Sequence, residues 1–453
     1  MDGARARYPN QVYRVASDNG DAIVIMPYTY ADEIRSNPHL SFTKFFHVEL
    51  QTDLPGFEVA ATTDGLDHSA LVRKICSGPL TRSLSSIIQL MSDEVSFSLS
   101  HLIGDSTQWQ EFGSKPLLLD IVARMSSRIF LGDTLCRSLD WLQVTKSFTV
   151  QLFVAGAAVR RVPGPLRSLW HWFIPECREL RRLQEKGHRI LLPVVQERQR
   201  VREVAKEKNE PHPATDAIDW AADAAKGHDY RPILIQLGLS LAAIHTTTNL
   251  FQQVLLDILE HPDIMPDLRQ EMSSVLTGQG WAKTSMYNMK LLDSVIKESQ
   301  RRTSPNLISM RRYVTQDVKL SDGTTLYKGS RVGIDANRML DPNAYEEPME
   351  WKPYRFLELR SKPGHEAMAQ AASVHVDHTA FGYGQQACPG RFFAVNELKV
   401  ALCHLLLKYD VKLSPGSDTR TSYIGFGAFT STDARIMVRK RVDVDVDTKS
   451  IFA

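Results

Sequence analysis

The chain is poor in cysteine, has no surplus of charge of either sign and lacks any long apolar run. Its five cysteines (Cys76, Cys136, Cys177, Cys388 and Cys403) are odd in number, and none stands in C-x-x-C spacing. That argues against a secreted disulfide framework and a structural zinc site, and points to a reducing compartment. Lys and Arg number 54 against 52 Asp and Glu, a net charge of +2, so nothing global suggests nucleic acid. No window holds 18 apolar residues, so no transmembrane helix is expected. Met1–Asn10 has neither an apolar core nor a cleavage pattern. Internal repeats and low-complexity tracts are absent as well.

What is present is an ordinary globular balance, 43% hydrophobic and 23% charged over 453 residues, enough to bury a large core. Residues 11–35 read as two short strands around a turn at Asp18–Asp21, with a helix opening near Tyr30. From Asp67 to Leu259 apolar residues recur at three- and four-residue spacing, a helical signal. A basic helix near 176–200 is followed by a charged, proline-bearing connection, Glu203–Asp216. Residues 311–335 are strand-like around an Asp322-Gly323 turn, and strand signals return at 409–440. No linker is long enough to divide the chain. The expectation is a mainly α fold with small β-sheets, one domain over 1–453, with 442–453 as a flexible tail.

The segment with most chemical content is Phe381-Gly-Tyr-Gly-Gln-Gln-Ala-Cys388-Pro-Gly-Arg-Phe-Phe393. Gly382 and Gly384 allow positive φ and close approach to a flat ligand. Pro389 suits the first turn of a following helix. A sulfur just before that turn lies at the positive end of the helix dipole, which favours thiolate. The loop therefore reads as a cradle for one metal-bound thiolate. Elsewhere, Pro232–Leu259 reads as one long core-crossing helix with a polar cluster, Ala242-Ala-Ile-His-Thr-Thr-Thr248, in its middle. Mid-helix threonines commonly bond back to the i−4 carbonyl, so a structural reading stands beside a catalytic one. Glu298 and Arg301 share a helix face, as do Glu179/Arg182 and Glu197/Arg200. Only the first pair follows an apolar run, which implies burial and calls for further partners. Arg355, in Trp351-Lys-Pro-Tyr-Arg-Phe356, could supply them with a bidentate grip.

These elements, in this order, resemble the cytochrome P450 family. Phe381, Gly384, Cys388 and Gly390 match its F-x-x-G-x-x-x-C-x-G loop, and C-P-G-R-F-F is similar to fungal members. Gln386 departs from the usual basic residue that reaches a haem propionate. Thr246 and Thr247 match the A-G-x-[DE]-T-[TS] run, whereas Ala243 replaces glycine and His245 replaces the acid. Imidazole can pass protons near neutral pH, so His245 is a relay candidate or a core histidine. Glu298, Arg301 and Arg355 match E-x-x-R and P-x-R-F, a lock under the haem. Arg312, His68 and Arg73 become candidates for propionate contacts. Asn306–Ser309, the helix face near Ala242 and Phe426–Phe429 would line a pocket for a bulky hydrophobic substrate. Arg128–Cys136 with Asp140-Trp141 looks like fungal secondary-metabolism members.

The resemblance implies haem b (iron protoporphyrin IX) with Cys388 as axial ligand, and insertion of one oxygen atom from O2 into a terpenoid or related natural product. Electrons would come from NADPH through cytochrome P450 reductase, met by Arg73, Lys74, Arg391 and Lys399. It also implies an intracellular location with peripheral membrane contact: the cytosolic face of the endoplasmic reticulum if a full-length form carries an anchor, otherwise soluble. Two other readings stay open, an O2-independent thiolate-haem isomerase or dehydratase and a catalytically silent haem-binding relic.

Overall fold

The computed structural model describes residues 1–16, 22–63, 66–211, 215–442 and 451–452. The expected turn at Asp18–Asp21, positions 212–214 of the charged connection and most of the 442–453 tail lie outside the described residues. The chain divides into two compact units.

The first unit comprises Met1–Phe45, Ile103–Leu117 and Asn249–Ala453. Its main sheet has five strands: β1 Tyr13–Ala16, β2 Ala22–Met26, β3 Leu40–Ser41, β4 Ile308–Val314 and β5 Arg331–Asp335. They lie in the order β1-β2-β5-β4-β3. Only β5 and β2 pair in parallel, with Val332 opposite Val24. Such an interior strand is covered on both faces, so Ala-Ile-Val-Ile-Met reads as a continuous apolar run. Its side chains alternate by face. Val24 and Met26 pack with Met310, Val332 and Ile334, while Ile23 and Ile25 pack with Tyr13, Phe45 and Ile308. The Asp322-Gly323 turn forms as expected, with Gly323 at φ 89° between the paired segments Val318–Lys319 and Thr325–Leu326. A three-stranded sheet joins Tyr409–Leu413, Arg435–Lys440 and Gln110–Gly113. The last of these has no apolar alternation and was not legible as a strand. Two helices matter for the site: Lys290–Arg302, with every residue from Leu291 to Arg301 buried, and Arg391–Lys408.

The second unit comprises Phe46–Leu102 and Leu118–Thr248 and, among its described residues, has helices and one short antiparallel strand pair, Thr62–Thr63 with Leu66–Asp67. Helix Leu139–Arg160 packs along Pro175–Glu207. A Cβ at Gly187 would lie 3.0 Å from Ile233 and 3.1 Å from Val144, so a bare backbone here lets three helices meet. The basic helix runs seven residues beyond the expected 200, into the connection.

The long helix spans Pro232–Glu260, one residue beyond expectation. It and Leu139–Arg160 are long and apolar enough to cross a membrane, contrary to the sequence count, but half or more of each is buried within the protein. Scattered threonines, serines and glutamines break a strict apolar run without lowering the mean hydropathy far.

Candidate active site

In the first unit, Cys388 sits on a loop held at every step. Its amide donates to the Phe381 carbonyl at 2.8 Å, and the Ala387 amide donates to Gly384 at 3.1 Å. Gly384 adopts φ +80°, and a Cβ there would stand 2.5 Å from Arg35 Cβ, so no other residue fits without moving the backbone. Tyr383 receives a hydrogen bond from Arg35 Nη1 at 2.9 Å and donates to Asp32 at 3.0 Å.

Gln386 has a different task from the basic residue it replaces. Its oxygen accepts from the Phe42 amide at 2.7 Å and its Nε2 donates to the Leu40 carbonyl at 2.9 Å. A carboxamide offers both a donor and an acceptor, and here it stitches the loop to the edge strand β3.

The following helix begins at Arg391 with Gly390 as N-cap, so Pro389 precedes the first turn rather than occupying it. Backbone N–H groups of Gly390 and Arg391 donate to the Cys388 sulfur. The expectation of a favoured thiolate needs correction. Burial pushes the thiol above its ordinary value, and the two amides and the Arg391 guanidinium only partly offset this. Helix amides thus orient and tune the sulfur, while its deprotonation falls to a bound metal cation. Among the described residues no cluster of three or more His, Cys, Asp or Glu could hold a metal. One thiolate with amide donors fits a metal whose remaining ligands come from a macrocycle. No atom lies within 4 Å of a Cβ built on Gly390, which leaves that side of the loop open to a flat group.

Arg312, on β4, is 1% exposed. Its Nη1 donates to the Arg311 carbonyl at 2.8 Å, but Nε and Nη2 are buried without a protein acceptor. Burial lowers its pKa to about 10. A buried guanidinium facing no acid is costly, and its planar donors suit a carboxylate. A propionate fits this donor set. β4 is tied to the cysteine loop by Ser309 Oγ, which donates to the Thr379 carbonyl at 2.7 Å.

The lock forms as expected, with one change of geometry. Arg301 grips Glu298 bidentately, through Nε and Nη2 at 2.8 Å each, and sends Nη1 to the carbonyls of Met339 and Pro348 at 2.7 and 2.8 Å. Arg355 is not bidentate. Its Nε alone meets both Glu298 oxygens at 3.2 and 3.1 Å, and its terminal nitrogens bind the Glu346 and Glu347 carbonyls. The Lys352 amide completes the carboxylate at 3.0 Å. Spacing alone could not separate this pair from Glu179/Arg182. That pair is 39% and 68% exposed, whereas Glu298 and Arg301 are both 0%.

In the second unit, Thr246 and Ala242 form an exposed line one turn apart on a mostly buried helix. Thr246 Oγ1 donates to the Ala242 carbonyl at 2.6 Å, the back-bond the structural reading anticipated. Thr247 is buried. His245 turns away from that line, its Nε2 lying 2.9 Å from the Lys146 carbonyl. His68 is fully buried at the start of helix His68–Ile75, capped by Asp67, while Arg73 is exposed near its end.

One expectation about the surface fails. Lys399 is buried and pairs with Asp293 at 2.6 Å, so it cannot meet a partner surface. Within Asn306–Ser309, Ile308 and Ser309 are buried and engaged in packing and in the Thr379 bond, while Asn306 and Leu307 are half-buried.

The family model for cytochrome P450 matches residues 3–439. The chain belongs to the cytochrome P450 family. Cytochrome P450 monooxygenase hepE of Aspergillus oryzae is 41% identical over 438 residues, covering 96% of this chain and 80% of that protein. Cytochrome P450 monooxygenase ptmU of Penicillium ochrochloron is 39% identical over 435 residues, covering 95% and 85%. The solved structure of retinoic acid-bound cyanobacterial CYP120A1 superposes with a TM-score of 0.71 over 97% of this chain and 94% of that one, at 18% identity, a likeness of fold. This P450 is a monooxygenase with a haem-iron cofactor and a redox partner, as its family and relatives support. They do not support the isomerase or the silent relic.

Proposed function

We propose that this P450 binds haem b through Cys388 and oxidises a bulky hydrophobic natural product, a terpenoid or a related compound, as a single domain. The observation that carries the reading is the half-buried Cys388 on a loop shaped by Gly384, directly before helix Arg391–Lys408, in the same unit as a buried Arg312 with two nitrogens that lack a protein acceptor. Haem iron, when bound, supplies O2 activation and transfer of one oxygen atom to a C–H bond, the other leaving as water. Cys388 holds the iron. Arg312 holds one propionate, and His68 and Arg73 serve the other. Phe381, Gly384 and Gly390 shape the cradle, while Glu298, Arg301 and Arg355 keep its supporting helix in place.

Thr246 is proposed to hold, on the long helix, the water through which protons are relayed. Its hydroxyl proton points at Ala242 O, which leaves its lone pairs to accept from water. Thr247 backs the same turn. His245, whose ring meets Lys146 O, ties two helices and so positions Thr246 rather than relaying protons itself. In the first unit, Asn306, Leu307, Phe426 and Phe429 supply an apolar wall.

Electrons come from an NADPH-dependent cytochrome P450 reductase, steered by Arg73, Lys74 and Arg391. Peripheral membrane contact, which at the endoplasmic reticulum would face the cytosol, is supported by one patch of the second unit. Leu166, Leu169, Trp170, Trp172 and Phe173 are all exposed, Phe173 by 64%, beside exposed Arg161 and Arg178. Tryptophan with flanking arginine suits an anionic lipid interface.

Reconstitution with iron protoporphyrin IX tests the site. The reduced, carbon monoxide-treated protein should show the thiolate Soret band and Cys388→Ala should lose it, while Thr246→Ala should retain the band and release more hydrogen peroxide per NADPH consumed. An imidazole-type spectrum, or unchanged coupling in the threonine variant, would remove the corresponding residue from its role.

A further inference from the structure

The hairpin at Ser422–Phe429 is too small to hold its own position. Its two strands make only three residue pairs, Ser422 with Phe429, Tyr423 with Ala428 and Ile424 with Gly427, and an isolated two-stranded hairpin is marginal in water. Tyr423, Ile424 and Phe429 are exposed by 59%, 70% and 42%, so little apolar burial fixes it. One flank is stitched by backbone: the Leu307 amide donates to Phe426 O at 2.8 Å, and the Ala428 amide donates to Pro305 O at 3.0 Å.

The other flank is held by two carboxamides of the long helix. Asn249 Oδ1 accepts from the Thr430 amide at 2.9 Å and lies 3.0 Å from its hydroxyl, while Asn249 Nδ2 donates to Ala428 O at 3.3 Å. Gln252, fully buried, accepts from the Thr430 hydroxyl and donates to Ser114 Oγ and Ser431 O at 2.8 Å each. Lys115 Nζ donates to Thr430 O at 3.2 Å. A hydroxyl carries one proton. Asn249 Oδ1 and Gln252 Oε1 both stand within reach of that proton, and Gln252 is the nearer acceptor. Every polar atom of Thr430, immediately after Phe429, is thereby engaged.

Burying a carboxamide carries a desolvation cost, and here both are turned to the segment Ala428–Ser431, with Thr430 the residue they share. Asn249 also lies three positions after Thr246, a spacing that puts both on one side of the helix.

We infer that Asn249, seconded by Gln252, is a positioning residue for substrate specificity, fixing through Thr430 where Phe426 and Phe429 stand in the pocket wall. This rests on the reading above that the hairpin lines that pocket.

The haem-reconstituted protein and its Asn249→Ala variant separate the two claims. Amide hydrogen exchange over residues 422–432 should accelerate at least tenfold in the variant, with helix Lys290–Arg302 unchanged. Spectral titration should show imidazole affinity within twofold of wild type and clotrimazole affinity changed at least fivefold. Asn249→Asp, which keeps the oxygen for Thr430, should restore most of the protection. Should Asn249→Ala fail to fold, Thr430→Val, which removes only the hydroxyl, should give a smaller acceleration in the same segment. Unchanged exchange would overturn the inference, and so would faster exchange with equal shifts for both azoles. A wild type without the thiolate band would instead strike the cofactor reading.

Discussion

Glu298→Gln offers the sharpest test of the lock. The substitution keeps shape and one acceptor but removes the charge that Arg301 and Arg355 share. Arg301 is 0% exposed and the Arg355 side chain 12%, so both guanidiniums would be left without a counter-ion in a poorly solvated place. Breaking a buried ion pair from one side costs about 3–5 kcal/mol. Unfolding entropy is about 2.1 cal/mol/K per residue. If the 453 residues unfold together, that is about 0.95 kcal/mol/K, so a loss of about 4 kcal/mol lowers Tm by about 4 °C. The carbonyl bonds from Arg301 to Met339 and Pro348 survive, which keeps the cost near the lower half of that range. The double variant Glu298→Gln, Arg301→Met should be less destabilised than the sum of the single variants, because the stranded cation is gone. Thermal scanning of the haem-loaded protein reads both effects. A Tm within 1 °C of wild type for Glu298→Gln, or strict additivity in the double variant, would refute the assignment.

Other expectations differ in sign. Arg312→Met should raise the Tm of haem-free protein, since a buried cation without an acid disappears, yet speed haem loss to a scavenger apoprotein; slower or equal loss would remove Arg312 from the haem seat. Lys297 is buried against the Gln370 and Ser373 carbonyls, and burial lowers its pKa to about 7 from 10.5. Between those values the unfolded chain binds more protons than the folded one, so wild-type stability should rise from pH 7 towards 10.5. Lys297→Met should flatten that rise, and an equal slope in both proteins would contradict the burial argument. Trp170→Ser combined with Phe173→Ser should reduce co-sedimentation with phosphatidylserine vesicles at least fivefold while leaving Tm within 2 °C; undiminished binding would exclude the patch.

Much of the site could be read before any coordinates. The glycine–cysteine loop, the E-x-x-R pair and the long helix each carry a local rule: positive φ, three-residue spacing, helical periodicity. Arg312 was reachable only through the family likeness, because an arginine on a strand has no local signature of being buried without an acid. Asn249 and Gln252 gave no signal, since a carboxamide in a helix does not disclose a partner nearly 180 residues away. Lys399 misled because a lysine on a helix is usually solvated, and its pairing with Asp293 depends on packing between two helices.

Composition, periodicity and short-range spacing thus determined the mainly helical architecture with small sheets and singled out the loop of Cys388, while the likeness to the cytochrome P450 family supplied the chemistry. Tertiary structure decided which charges lose water. It buried Glu298 with Arg301 but left Glu179 with Arg182 exposed, turned Gln386 to the backbone of Leu40 and Phe42, and set the Cys388 thiol above its ordinary pKa despite the helix amides. Desolvation is a property of everything packed around a group, drawn from distant parts of the chain, and no local pattern of residues encodes it.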